Sequence, residues 1–159
     1  MKRNHRSALG LCCTMLMALA AGRTAAQAAN SLEFVIADGP HAGTYQLPAA
    51  NIACMNVKAR KQFSAAYKDI NAKDAKTVSG VGINVFNSDD AGARRGEINI
   101  RFGDPEEKRS ATYETPVSRD GKGFTFTRKG AVIEVGFEGR AQSGTKLRMT
   151  ARCTDIDEF

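Results

Sequence analysis

Residues 146–153 read KLRMTARC, and in them Leu147, Met149, Ala151 and Cys153 alternate without a break with Lys146, Arg148, Thr150 and Arg152. An extended chain sends successive side chains to opposite faces, so this segment has one wholly apolar face and one face of cations and a hydroxyl. A helix turns about 100° per residue and would scatter the same four apolar groups around its circumference. The segment is therefore an amphipathic strand.

The same period extends toward the N-terminus. Ile133, Val135 and Phe137 alternate with Glu134, Gly136 and Glu138, and Phe124 and Phe126 flank Thr125 before Arg128-Lys129-Gly130, which reads as a turn closing a hairpin. Glu134 and Glu138 carry charges opposite to Arg148 and Arg152, which predicts cross-strand pairs on a solvent face that help to set register. Ile98, Ile100 and Phe102 alternate with Glu97, Asn99 and Arg101, while Val81, Ile83 and Val85 lie opposite Gly82 and Asn84. A weaker strand surrounds Tyr113. Nearer the start, Leu32, Phe34 and Ile36 form a short strand, residues 44–47 a second one stopped by Pro48, and residues 51–57 a third carrying Ile52 and Cys54.

Residues 58–70 fit two periods. Phe63, Ala66, Tyr67 and Ile70 recur at helical spacing, whereas Phe63, Ala65 and Tyr67 alternate as a strand, so a short helix near residues 59–69 stands as the alternative to another strand. Roughly eight strands with turn clusters between them predict an all-β fold. The expectation is a small antiparallel β-sandwich, with a partly open β-barrel as the alternative.

The N-terminal residues have a different character. Lys2, Arg3 and Arg6 precede an apolar run from Ala8 to Ala21, and an Ala-rich stretch follows, the three parts of a secretory signal. The preferred cleavage site follows Ala28, with one after Ala20 as the alternative, which assigns 1–28 to the signal peptide and 29–159 to a single β-rich domain. Cys12 follows Leu11 and Cys13 follows Cys12, so neither has the small preceding residue of a lipoprotein signal. The apolar run falls short of the roughly 20 residues of a bilayer span, and no later segment approaches it, so no transmembrane anchor is expected in the mature chain.

This division changes the charge and cysteine arithmetic. The formal charge of the whole chain is +6, but Lys2, Arg3, Arg6 and Arg23 precede residue 29 and all 17 acidic residues follow it, leaving 19 basic against 17 acidic residues and a net +2. With acids and bases interspersed and few aromatics, no nucleic-acid footprint is expected. Of four cysteines only Cys54 and Cys153 remain, an even number in a chain bound for an oxidising compartment, and they are expected to form a disulfide.

Candidate chemistry is sparse. His41, the single histidine after residue 28, sits in Asp38-Gly39-Pro40-His41-Ala42-Gly43 and reads as an exposed turn residue. Neither a phosphate-binding glycine loop nor a His-Glu-x-x-His zinc motif occurs. Two carboxylates can hydrolyse glycosides without histidine, and Asp89 with Asp90, Asp104 with Glu106 and Glu107, and Glu134 with Glu138 supply candidate pairs. Asp89 and Asp90 lack the alternating oxygen ligands of a calcium loop. Arg94 with Arg95, Arg128 with Lys129, and Lys58 with Arg60 and Lys61 could meet an anionic polymer.

By elimination, the expected function is non-catalytic binding or inhibition in the periplasm or outside the cell. No catalytic, metal or cofactor site is assigned, and the expected partner is a protein or an anionic envelope component. The loops 87–95 and 103–110 are the candidate presenting elements, with Asp89, Asp90, Arg94 and Arg95 as the named binding residues, or an open strand edge serves instead. A carboxylate-dependent hydrolase and a structural envelope-associated protein are the competing readings.

Overall fold

The computed structural model describes residues 29–86, 95–104 and 110–159. The signal-like segment and most of both candidate loops lie outside the described residues. Eleven strands form within them: β1 (Ser31–Ile36), β2 (Gly43–Gln46), β3 (Ile52–Val57), β4 (Gln62–Lys68), β5 (Val78–Phe86), β6 (Arg95–Phe102), β7 (Ala111–Glu114), β8 (Phe124–Lys129), β9 (Val132–Arg140), β10 (Lys146–Cys153) and β11 (Asp157–Glu158). They make a five-stranded sheet in the order β2-β1-β10-β9-β8 and a six-stranded sheet in the order β11-β3-β4-β5-β6-β7. The two sheets pack face to face without closing into a barrel, so the fold is a β-sandwich.

The alternating residues meet in the space between the sheets. Leu32, Phe34, Ile36, Ile133, Val135, Leu147, Met149 and Ala151 from the first sheet face Phe63, Ala65, Ile83, Val85, Ile98, Ile100 and Phe102 from the second, all buried. Gly96 shows how tightly the layers fit: a Cβ there would lie 2.6 Å from the Phe124 ring, so this glycine leaves the slot that a ring of the opposite sheet fills.

Residues 62–68 form a strand, and the helix near residues 59–69 is absent, replaced at its start by a single 3-10 turn over Lys58–Arg60. The reason is tertiary. β4 is paired along its length with β3 on one side and β5 on the other, and Phe63, Ala65 and Tyr67 point inward, while Ile70, which the helical face needed inside, is 77% exposed. A smaller difference concerns the last hairpin. β8 runs on through Arg128 to Lys129, which pairs with Val132, so the turn is Gly130-Ala131 with Gly130 in the left-handed region.

Cys54 on β3 and Cys153 on β10 are both buried and form the expected disulfide, with Cα atoms 6.2 Å apart. The bond joins the two sheets. Asn30 strengthens the same end: its Oδ1 accepts the backbone N–H groups of Thr154 (2.9 Å) and Asp155 (3.1 Å), and its Nδ2 donates to the carbonyls of Ile52 (3.3 Å) and Asp155 (3.2 Å).

Glu158 is a further tie between the layers. Its carboxylate meets Lys58 and the Arg128 guanidinium of β8 at 2.7 Å, and Asn56 donates to it at 3.5 Å. Lys58 first, and then Arg128, holds its pKa down at about 2. A carboxyl depressed in the folded state adds stability that is fully present above its ordinary value of 4.5 and is lost as pH falls through about 2. Glu158→Gln is therefore expected to be less stable than the wild type at neutral pH, with the gap closing between pH 4.5 and 2. Thermal midpoints of both proteins across that range check it, and a gap independent of pH would contradict it.

Candidate binding face

The outward side of the six-stranded sheet carries the most sharply built surface among the described residues. Register places Ala53, Ala66, Gly82, Asn99 and Glu114 in one row crossing β3, β4, β5, β6 and β7. The next row is Lys68, Gly80, Arg101 and Thr112, and the row on the other side is Met55, Ser64, Asn84 and Glu97. Small residues in the first two rows leave a trough of about 590 Å³ lined by Ala66, Lys68, Ile70, Gly80, Gly82, Asn99 and Arg101, among others.

The floor is backbone. Among the described residues, a Cβ on Gly82 would meet nothing within 4 Å, and one on Gly80 would touch the Tyr67 carbonyl at 3.9 Å and Arg101 Cβ at 4.0 Å, both ordinary contacts. In the neighbouring row of the same face, beyond the residues that line the trough, Ser64 Oγ donates to Asn84 Oδ1 (2.6 Å) and Asn84 Nδ2 donates to Glu97 Oε1 (3.1 Å). Asn99 Nδ2 donates to Glu114 Oε1 (2.7 Å) at the β7 end. These links pre-order the amides and carboxylates, which lowers the entropic cost of binding.

One end of the trough carries two cations. Lys68 and Arg101 stand on either side of Gly80, two strand spacings or roughly 10 Å apart at their Cα atoms, and neither forms an ion pair with a described carboxylate. Two acids lie at the same end. Asp69 accepts the Asn71 N–H at 2.9 Å, and Asp104 has a partner of its own. Burial, followed by the charge of Asp69, pushes the Tyr67 hydroxyl above the ordinary tyrosine range.

The residues singled out in the sequence fall elsewhere. Asp89, Asp90 and Arg94 lie outside the described residues, as do Glu106 and Glu107. Arg95 opens β6, with its guanidinium carbon 5.6 Å from the centre of the Phe86 ring, a cation–π arrangement. Glu134 and Glu138 are four residues apart on one strand, about 13 Å, beyond the separation at which two carboxylates share a glycosidic bond. They face Arg152 and Arg148 directly, and Arg152 Nε reaches Glu134 Oε1 at 3.6 Å. Among the described residues, no three His, Cys, Asp or Glu side chains gather where a metal ion could be held.

His41 lies in a turn, as its neighbours suggested, but it is half-buried rather than exposed. Its ring stacks on Phe102 with centroids 4.2 Å apart, Nε2 lies 2.9 Å from the Ala75 carbonyl, and Nδ1 lies 2.9 Å from the Tyr113 hydroxyl. A carbonyl only accepts, so Nε2 carries the proton and, in the neutral ring, Nδ1 accepts from Tyr113. Burial raises the Tyr113 pKa, and the neighbouring Tyr45 and Asp38 add to the rise. Both ring nitrogens are used, and the histidine docks the β1–β2 loop of one sheet onto the other.

The residues that form the trough were missed as a site by sequence reasoning. The available signal was Gly80-Val81-Gly82, two glycines on the outward face of a strand whose inward residues Val81, Ile83 and Val85 are β-branched, but the cations beside them come from β4 and β6 and join them only through register. Comparison of the chain with protein-family models, with curated proteins and with solved structures finds no match.

Proposed function

We infer that the protein is an exported, non-catalytic binding protein whose ligand lies across the trough over Gly80 and Gly82. The glycine pair carries this reading. Each glycine in a strand interior weakens it by about 0.5–1 kcal/mol, and here neither has the positive φ that would require glycine. Among the described residues, nothing lies within 4 Å of where a Gly82 Cβ would stand. Glycine in such a place suits the close approach of another molecule to the backbone. Export is supported by the signal-like residues 1–28 and by the Cys54–Cys153 disulfide.

Gly82→Tyr separates binding from folding. Tyrosine favours the extended backbone, and its ring has open space to occupy, so the variant is expected to fold with an unchanged or slightly higher thermal midpoint. The wild-type chain is expected to co-sediment with isolated cell-envelope polysaccharide, and the variant to lose that co-sedimentation. Equal sedimentation of the two proteins would overturn the reading.

A further inference from the structure

We propose that the ligand of this trough is an anionic polysaccharide, whose acid groups sit above Gly80 between Lys68 and Arg101 while its hydroxyls meet Asn99 and the amide and carboxylate groups of the adjoining rows. The proposal rests on the trough being the ligand face and adds what that ligand is.

The cations are the first argument. Lys68 and Arg101 flank a residue with no side chain, so an anion resting on Gly80 is within reach of a flexible ammonium on one side and a planar guanidinium fork on the other. The fork suits a carboxylate or a phosphate equally well. Asp69 and Asp104 lie at the same end of the trough, where Asp69 accepts the Asn71 N–H at 2.9 Å and Asp104 has a partner of its own.

The second argument is the mixture of groups beyond the cations. Asn84, Glu97, Asn99 and Glu114 offer amide donors, amide acceptors and carboxylate acceptors in two adjacent rows. A sugar hydroxyl donates and accepts at once and matches such a mixture. A nucleic acid would look for stacking aromatics, and the trough offers only Tyr67, whose residue is buried. Strand addition does not apply on this face, since the backbone groups of β4, β5 and β6 are already paired on both sides.

Dimensions agree. The small-residue row from Ala53 to Asn99 spans three strand spacings, about 14 Å, so a chain of two to three sugar rings crosses it. Ile70, exposed at the rim, gives the apolar C–H face of a ring something to rest on.

The test uses residues 29–159 and calorimetric titration with polygalacturonate, which carries a carboxylate on each ring, and with neutral dextran. Polygalacturonate is expected to bind at low salt and to weaken several-fold when salt is raised to about 0.5 M, where charges are screened within a few ångströms. Lys68→Ala with Arg101→Ala is expected to weaken it at least tenfold with the thermal midpoint held, and Lys68→Arg to restore most of the loss when Arg101 is intact. Dextran bound as tightly as polygalacturonate would overturn the proposal. So would salt-independent affinity, or wild-type affinity in the double alanine variant, or no binding of polygalacturonate while envelope polysaccharide is still retained. If in those cases Gly82→Tyr still abolishes retention, the trough remains the ligand face and only the ligand class is wrong. If Gly82→Tyr binds polygalacturonate like the wild type, both readings fall.

Discussion

Replacing Cys54 and Cys153 together by alanine is expected to lower folding stability by about 4 kcal/mol, a large share of the roughly 5–15 kcal/mol available to a domain of this size. The bond closes a loop with a sequence separation of 99, and chain-entropy reasoning gives about 4–5 kcal/mol for loops of that length. It also joins β3 to β10, each from a different sheet, so its loss frees the layers to separate in the denatured ensemble. Alanine is the proper replacement because both positions are buried and a serine hydroxyl there would add a desolvation cost. Urea titrations of wild type and variant, each with and without reductant, measure the effect. Reductant should shift the wild type toward the variant and leave the variant unmoved. A difference under about 1 kcal/mol would contradict the disulfide's role.

Phe102→Ala is expected to cost about 3–5 kcal/mol, the usual range for removing a buried ring. Phe102 is fully buried (0% exposed). It also supports an aromatic group: His41 stacks on it, and the Tyr45 and Tyr113 rings meet it edge-on at 5.4 and 6.0 Å. The cavity would thus open where the β1–β2 loop docks on the second sheet. The tyrosine signals in near-ultraviolet circular dichroism should weaken even under conditions where the variant remains folded. Loss of less than about 1 kcal/mol, with those signals unchanged, would show that the loop is not anchored there.

Period two was enough to find most of the strands, because each needs one face inside and writes that need into alternate residues. It failed where two periods coincided. For residues 58–70 the decision came from β3 and β5 pairing on either side of β4, information that no local window holds. His41 illustrates a different limit. Its partners, Ala75, Phe102 and Tyr113, are 34 to 72 positions away, so the turn is legible beside Gly39 and Pro40 but the partial burial of the ring is not. The disulfide was legible for the opposite reason, since once the first 28 residues are set aside only one pairing exists. The trough was half legible: the outward Gly80 and Gly82 can be read from β5, but the cations and the neighbouring amides are brought alongside by pairing across four strands.

The central claim is that the glycine-floored face of the second sheet holds the ligand. The most direct measurement is a nitrogen–proton NMR titration of labelled residues 29–159 with short polygalacturonate chains. The account predicts that the amides of Gly80, Gly82, Asn99 and Arg101 move first and saturate together, while those of β1 and β9 on the other sheet stay fixed. Shifts confined to the first sheet or to residues 87–94, with Gly80 and Gly82 unmoved, would contradict it.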